Sequence, residues 1–313
     1  MSALAFTLVA LLLVGPVPEI LARASWPTRA PRAAIVLWQA VAVAAVLSAF
    51  SAGIAIASRL LVPGPDGRPT ATITSEIRVL GQPLWLVYVT VFAITLLIGA
   101  RLLIAVLEVA IKTRRRRAHH RMLVDLLGVA RDGATSTGTG HLRILDVSEP
   151  LAYCLPGVRS RVVLSNGTLN TLSDNEIAAI LRHERAHLRA RHDLVLEMFT
   201  AVHAAFPRFV RSARALDAVR VLVEMLADDA AVRAAGPAPL ARALVACAVG
   251  PTPLGALAAG GPSTVVRLRR LGGRGNSLAV AAGAYLAAAA VLIVPTVALA
   301  VPWLTELHRL FIA

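Results

Sequence analysis

Cysteine is scarce in this 313-residue sequence, which contains only Cys154 and Cys247. The two residues lie far apart and form no Cys-x-x-Cys pair, which argues against a disulfide framework and against a cysteine-ligated zinc site. Both are therefore expected to be small, buried, apolar side chains in a reducing compartment.

Charged residues are also few, at 16% of the chain against about 25% in an average soluble domain. Lys112 is the single lysine, so arginine carries almost all of the formal net charge of +14. A basic protein can bind nucleic acid. Aromatic residues, however, make up only 4% of the chain, so few are available to stack on bases, and the arginines lie largely beside apolar blocks. We therefore expect no direct nucleic-acid partner.

The chain has long apolar runs instead, with 57% hydrophobic residues and a mean hydropathy of +0.70. A membrane-spanning helix needs roughly 20 apolar residues to cross a core of about 30 Å. Four segments meet this requirement, which predicts four transmembrane helices in a lipid bilayer. They cover residues 3–21, 33–62, 84–111 and 278–304. A cleaved signal peptide is the alternative for the first, although no positive charge precedes it.

The distribution of arginine predicts the orientation of these spans, because cytoplasmic loops are enriched in Lys and Arg. The loop after the first span carries Arg23, Arg29 and Arg32, and the third span is followed directly by Lys112 and then by four arginines at 114–117. We therefore expect a cell-membrane protein whose first and third loops are cytoplasmic and whose termini are both external. The arginine run is interpreted as an anchor to anionic headgroups.

The fold class predicted from this layout is an α-helical membrane protein with a cytoplasmic α+β domain in the loop between the third and fourth spans. Residues 1–112 would form the membrane region with three helices, and 113–276 the soluble domain. Residues 277–313 would form the fourth span and a short external tail. Strands are expected at 141–147 and 161–165, followed by a turn at Asn166-Gly167. From Leu194 onward the pattern is helical, with breaks at Pro207, at Gly236-Pro237 and at 250–262.

A metal-binding motif lies on a helix of this domain. Ser173 and Glu176 fit a capping box, and helical periodicity follows them. The helix then carries His183-Glu184-Arg185-Ala186-His187, an HExxH sequence. Histidines four residues apart share one helical face and can bind one ion. Two neutral nitrogens and a carboxylate suit Zn²⁺ with an open fourth position, so we expect one zinc per chain with Glu184 as the catalytic base.

The third ligand is less clear from spacing. His192 follows His187 by five residues, which does not match the metzincin spacing. Glu224 on a later helix is the better candidate, with Asp228 one turn further on to orient a histidine. The alternative is that Glu224 and Asp228 belong to a solvated helix face.

Taken together, the motifs resemble those of the BlaR/MecR-type antirepressor metallopeptidases, gluzincins similar to the heat-shock and CAAX-processing membrane proteases. The resemblance covers nearly the whole chain and rests on residues 152–157, Val162-Val163-Leu164-Ser165, the HExxH helix and Glu224-x-x-x-Asp228. It implies that His183, His187 and Glu224 bind zinc. It also implies cleavage of a protein substrate, such as a winged-helix repressor, with consequent gene induction. The family's extracellular penicillin-binding sensor is not expected, because the sequence ends soon after Leu304.

The mechanism expected from the sequence begins with a substrate strand pairing with the predicted strand of Arg161, Val162, Val163, Leu164 and Ser165. Glu184 would then activate the attacking water. One alternative is a quality-control protease of membrane proteins. Another is a non-catalytic receptor or scaffold with a structural zinc, although such a site needs no base beside an open position. Oligomeric state is not readable from the sequence.

Overall fold

The computed structural model describes residues 2–60, 62–63, 69–70, 73–130, 141–206, 213–248, 257–258, 263–273 and 275–312. The helix break predicted at Pro207 lies outside these residues, as does most of the break predicted at 250–262. The break at Gly236-Pro237 is confirmed, since one helix ends at Ala235 and the next begins at Pro237.

Apolar helices dominate the N-terminal part of the chain. They are α1 (Ser2–Val14), α2 (Pro16–Arg23), α3 (Pro31–Ala57), α4 (Ile73–Leu80) and α5 (Gln82–Leu127), with 3₁₀ turns at Trp26–Arg29 and Ser58–Leu60. The first predicted span is interrupted between α1 and α2, where Gly15 separates the helices and Pro16 begins the second. A proline fits there, because the first turn of a helix needs no backbone N–H donor from it.

Helix α5 is much longer than the span predicted at 84–111. Its 46 residues extend about 69 Å at 1.5 Å per residue, more than twice the thickness of a bilayer core of about 30 Å. The helix therefore continues beyond the apolar part through the arginine run to Leu127. The sequence predicted the apolar part of this helix and missed its polar extension.

A small mixed sheet follows α5. Its strands are β3 (Val129–Ala130), β4 (His141–Leu145), β5 (Ala152–Leu155), β6 (Arg161–Ser165) and β7 (Leu257–Ala258), while β1 (Val62–Pro63) and β2 (Pro69–Thr70) form a separate antiparallel pair. The strand order is β3-β4-β6-β5-β7, in which only β4 and β6 are parallel. Strand β6 thus lies at the centre, and all five of its residues are buried.

Between α5 and the last apolar segment, the described residues also form six helices. They are α6 (Asn166–Thr171), α7 (Asp174–Ala190), α8 (His192–Ala205), α9 (Ala213–Ala235), α10 (Pro237–Cys247) and α11 (Thr264–Leu271). The turn predicted at Asn166-Gly167 is wrong, because these residues begin α6. The Ser165 hydroxyl accepts a hydrogen bond from the Thr168 N–H at 3.1 Å, which caps this helix.

The final apolar segment consists of α12 (Leu278–Pro295), a π-helical turn (Thr296–Ala300) and α13 (Val301–Ile312). Four helical segments of the described chain are therefore long and apolar enough to cross a membrane: 3–23, 31–57, 82–127 and 278–305. The protein is mostly helical with a small sheet, as the sequence predicted.

Two arginines of α5 hold α8 against it. Arg117 lies 3.1 Å from an Asp193 carboxylate oxygen and 2.6 Å from one of Glu197, and all three side chains are largely buried. Sixteen residues earlier, Arg101 donates to the carbonyl of Ala205 at 2.6 Å, at the other end of α8. The last arginine of the run is therefore a structural ion-pair partner as well as part of a basic segment.

Two apolar clusters position the elements that follow. One packs α3 against α8 and α9 through residues such as Trp38, Phe199 and Val223. The other packs α7, α9 and α10 together, with Ile180 and Leu244 in its centre. Helices α7 and α9 are thereby fixed side by side.

Candidate metal centre

Helix α7 carries the HExxH residues on its buried face. The predicted capping box is present at its start, where the Ser173 N–H donates to a Glu176 carboxylate oxygen at 2.9 Å. Beyond it, the side chains of His183 and Glu184 are fully buried and His187 is 1% exposed. Burial of three polar side chains on one helix requires partners from elsewhere in the fold.

Helix α9 supplies the partner carboxylate. Nε2 of His183 lies 3.4 Å from one Glu224 oxygen, and Nε2 of His187 lies 3.5 Å from the other. The two Nε2 atoms are 3.2 Å apart. The structure thus brings together the three residues that the sequence predicted as zinc ligands.

The spacing of these atoms fits a zinc ion. Ligand atoms about 2.0–2.1 Å from a tetrahedral ion are about 3.4 Å from one another. The distance between the two Nε2 atoms, and the distance from each of them to one of the two Glu224 oxygens, are close to this value. Two imidazoles and one carboxylate are also the donor set of hydrolytic zinc sites, in which the fourth position stays open.

Asp228 and Arg267 surround the far side of His183. Oδ1 of Asp228 lies 3.0 Å from Nδ1 of His183. The fully buried Arg267 of α11 donates from Nη2 to the same oxygen at 2.6 Å and from Nε to Oδ2 at 2.8 Å. A further guanidinium nitrogen lies 3.1 Å from Glu224. Arg267 therefore holds Glu224 and Asp228 in fixed positions through bidentate and charge-assisted contacts.

His192 contacts the other histidine. Its Nδ1 lies 3.0 Å from Nδ1 of His187, so it approaches the ring from the side opposite to the Nε2 atom that faces Glu224. His192 is therefore placed to orient His187 and does not join the cluster of ligand atoms.

The protonation states of the three clustered residues follow from their surroundings. Burial lowers the pKa of His187 to about 3, so its imidazole is neutral. Burial opposes protonation of His183 too, but hydrogen bonds to Asp228 and Glu224 outweigh it and raise the pKa to about 9. Burial favours the neutral form of Glu224, yet attraction to His187 and the hydrogen bond to His183 lower its pKa to about 2. A metal ion entering here displaces the proton of His183.

Glu184 lies beside this cluster in a different environment. Within the described part of the chain, neither of its carboxylate oxygens has a hydrogen-bond partner of ordinary geometry. Burial, helped by the charge of Glu224, raises its pKa to about 7 even though His183 and the thiol of Cys154 act in the opposite direction. A carboxylate with this pKa can both take up and release a proton near neutral pH.

The expected substrate strand at Arg161, Val162, Val163, Leu164 and Ser165 is wrong. Strand addition needs a free edge, but β6 pairs with β4 on one side and with β5 on the other. Arg161 instead binds the Asp125 carboxylate through two hydrogen bonds of 2.9 and 3.1 Å, and Ser165 caps α6. These five residues form the structural centre of the sheet. The outer side of β5 pairs with β7.

Sequence reasoning did not identify Arg267, His192 as an orienting residue, or the thiol of Cys154. Arg267 is 39 residues away from Asp228 in the sequence, and no periodic pattern links the two. Cys154 lies within the motif at residues 152–157, but only the packing of β5 on α7 brings it near Glu184.

Comparison with known proteins gives one family. The family described as "BlaR1 peptidase M56" matches residues 25–207, which include His183, Glu184 and His187. Among curated proteins, none matches the chain. Among solved structures, the chain is similar to the crystal structure of Ste24p from S. mikatae, with 13% sequence identity and a TM-score of 0.37, covering 86% of this chain and 96% of that one.

Proposed function

Because the chain belongs to the BlaR1 peptidase M56 family, a family of membrane metallopeptidases, we propose that it is a zinc-dependent endopeptidase acting at a membrane. The observation that carries the proposal is the cluster of His183, His187 and Glu224 beside the buried carboxylate of Glu184. Spacing, donor types and the adjacent base agree with a hydrolytic site.

Each side chain has a role in this proposal. His183, His187 and Glu224 hold the zinc ion, one per chain. The bound ion supplies Lewis acidity for the substrate carbonyl and lowers the pKa of water. Glu184 takes the proton of the attacking water and delivers it to the leaving amine, for which its pKa of about 7 is suited. Oδ1 of Asp228 lies 3.0 Å from Nδ1 of His183, on the side of the ring away from Nε2, so Asp228 would orient this ligand.

The burial of Glu184 favours an enzyme over a structural zinc protein. A structural site is closed by four protein ligands, whereas three ligand side chains converge among the described residues. A fully buried carboxylate without a hydrogen-bond partner in that part of the chain costs stability, and carboxylates of this kind are typical of functional sites. Proton transfer to and from water is a function that accounts for it.

The decisive variant is Glu184→Gln, which removes the base and keeps the side-chain shape. We expect zinc content of about one ion per chain in both proteins, by elemental analysis. Cleavage of an unfolded protein substrate should fall by about 10²–10⁴-fold in the variant. Cleavage at the wild-type rate would show that Glu184 is not the base, and loss of zinc would show that it is a ligand.

The proposed domain organisation is a membrane region at 1–112, a peptidase domain at 113–276 in the loop between the third and fourth spans, and a last span with a short tail at 277–313. The basic segment at 112–117 supports a cell-membrane protein whose peptidase domain faces the cytoplasm and whose termini are both external. A reporter fused near Gly140 tests this topology, and an external reading would reject it.

The proposed biological role is signal-transducing proteolysis of a transcriptional repressor, which the resemblance to the BlaR/MecR-type antirepressor metallopeptidases implies. The test is a comparison of the proteomes of cells carrying wild type and Glu184→Gln. A repressor with winged-helix features, intact only in the variant, supports the regulatory role. Accumulation of many misfolded membrane proteins in the variant would instead identify a quality-control protease.

A further inference from the structure

The break between α7 and α8 places His192 against a predicted metal ligand. On an uninterrupted helix, residues five apart are turned by about 140° around the axis, so His192 would face away from His187. Instead, Nδ1 of His192 lies 3.0 Å from Nδ1 of His187, and the two rings are nearly perpendicular, at 85°. His192 is 4% exposed. The turn between the helices therefore brings a buried imidazole to the outer nitrogen of His187.

Arg191 makes this turn in a conformation that glycine adopts more readily than other residues. Its φ of 52° and ψ of 43° are left-handed, and no other non-glycine residue that the structure describes has a positive φ. The helix that follows is fixed at once, because the buried Asp193 lies 3.1 Å from Arg117 of α5. Backbone strain of this kind is concentrated at functional sites. Here the strained turn and the ion pair together hold His192 in place.

The direction of the hydrogen bond between the two rings follows from their chemistry. Nε2 of His187 lies 3.5 Å from Glu224, and in the proposed zinc site the lone pair of this nitrogen binds the ion. The proton of the neutral ring is then on Nδ1. An N–H group that faces a nitrogen at 3.0 Å needs a lone pair there. Nδ1 of His192 is therefore the acceptor and its proton is on Nε2, so this ring is uncharged.

The two histidine ligands thus have different supports. Nδ1 of His183 faces the carboxylate of Asp228 at 3.0 Å, whereas Nδ1 of His187 faces an imidazole. A carboxylate in the second place as well would add a buried negative charge to those of Glu184, Glu224 and Asp228. Buried charges destabilise a fold unless they are paired. An imidazole supplies the acceptor without adding charge.

We propose that His192 is a positioning residue of the metal centre, whose uncharged Nδ1 accepts the Nδ1 proton of His187 and thereby fixes the ring that binds the ion. The inference rests on the proposed zinc-peptidase function, because metal binding at Nε2 is what assigns the proton of His187 to Nδ1. His192 lies outside the cluster of ligand atoms. Its expected contribution is therefore to zinc affinity, which typically falls about 10–100-fold when an orienting partner is removed.

The test compares the zinc affinity of the purified 313-residue chain with that of two variants, by competition with a chromophoric chelator. His192→Leu fills a similar space without an acceptor and should weaken zinc binding about 10–100-fold. His192→Asn places a carbonyl oxygen as far along the side chain as Nδ1 of histidine and should restore the affinity to within about threefold of wild type. Leucine meets a need for packing better than asparagine does. Equal affinities, or a higher affinity with leucine, would overturn the proposal.

His120→Leu is the matched control. Nε2 of His120 lies 3.0 Å from the Tyr153 hydroxyl, so this variant also removes a hydrogen-bonded imidazole, but one outside the ligand cluster. Its zinc affinity should equal that of wild type. Circular dichroism and thermal unfolding of the zinc-free proteins distinguish a loss of fold from a loss of metal binding. Failure of the wild type to bind zinc would reject the proposed function and this inference with it. Equally tight binding by wild type and His192→Leu would reject this inference alone.

His192→Asp tests whether the acceptor has to be uncharged. Its carboxylate oxygen has the same reach as the oxygen of asparagine, so the ring of His187 keeps an acceptor. The added charge attracts the divalent ion but is a further buried charge in the zinc-free protein. Compared with His192→Asn, we expect a zinc affinity at least as high and a Tm of the zinc-free protein that is lower by about 5 °C or more. Equal Tm values would refute the need for an uncharged acceptor.

Discussion

Replacing Asp228 by asparagine tests how the metal ligands are held. Oδ1 of Asp228 lies 3.0 Å from Nδ1 of His183 and accepts from Arg267 at 2.6 Å, while Oδ2 accepts from Arg267 at 2.8 Å. Asparagine has the same shape but only one acceptor oxygen. Its NH₂ group must therefore face one of these donors, and the negative charge beside the metal site is lost.

The expected loss can be estimated from these contacts. Removing a group that orients a metal-binding histidine typically weakens metal binding 10–100-fold, or about 1.4–2.7 kcal/mol. Loss of a carboxylate charge near a divalent cation acts in the same direction. The mispaired Arg267 should lower the free energy of unfolding by about 1–3 kcal/mol, the cost of an unsatisfied buried group.

Asp229→Asn is the matched control. Asp229 is the next residue on α9 and accepts two hydrogen bonds from Arg270, at 2.7 and 3.0 Å. The Asp229→Asn variant therefore removes the same charge and breaks the same type of ion pair as Asp228→Asn, but Asp229 has no described contact with His183. Zinc affinity is measured by competition with a chromophoric chelator, and stability by thermal unfolding of the metal-free proteins. We expect Asp228→Asn alone to weaken zinc binding. Equal affinity of the two variants would refute an orienting role for Asp228.

Three further outcomes follow from burial and charge. Zinc affinity should rise with pH up to about pH 9, because binding displaces the proton that Asp228 and Glu224 hold on His183; an affinity independent of pH would contradict this. Burial raises the pKa of Cys154 well above its ordinary value and that of Cys247 to about 12. Iodoacetamide should therefore label neither thiol near neutral pH before denaturation, as mass spectrometry can check. Arg117→Met should lower the free energy of unfolding by about 3–5 kcal/mol, because it leaves Glu197 without its described cation and leaves the buried Asp193 with only Arg191, 3.7 Å away. The exposed neighbour Arg116→Met should change it by less than about 0.5 kcal/mol in the same denaturation assay.

The helical part of the fold was largely predictable because its determinants are local. Runs of about 20 apolar residues identify spans, and Ser173 with Glu176 marks the beginning of α7. The extension of α5 to Leu127 was not predictable in this way, because residues 112–121 are mostly polar, and their helix is held by distant parts of the chain, such as α8 at Arg117 and the sheet at Asp125. The ion pairs of Arg117 with Asp193 and Glu197 join residues about 80 positions apart.

The sheet shows the same limit of local information. Alternation and β-branched residues predicted the strands at 141–147 and 161–165, observed as β4 and β6. They could not give the strand order, which places β6 between β4 and β5. Because order decides which edges are free, the predicted substrate strand was assigned to a position where no strand can add.

The composition of the metal centre explains why the site needs residues that no motif contains. Glu184, Glu224 and Asp228 are all buried or nearly so, and three buried carboxylates without cations would cost far more than the fold can supply. Arg267 contributes one positive charge, and the proposed divalent ion on His183, His187 and Glu224 would contribute two. With both histidines neutral and Glu184 ionised, the charges sum to zero. In this proposal the HExxH helix specifies where the ion binds, while Arg267 of α11 allows the acidic residues around it to stay ionised in the interior.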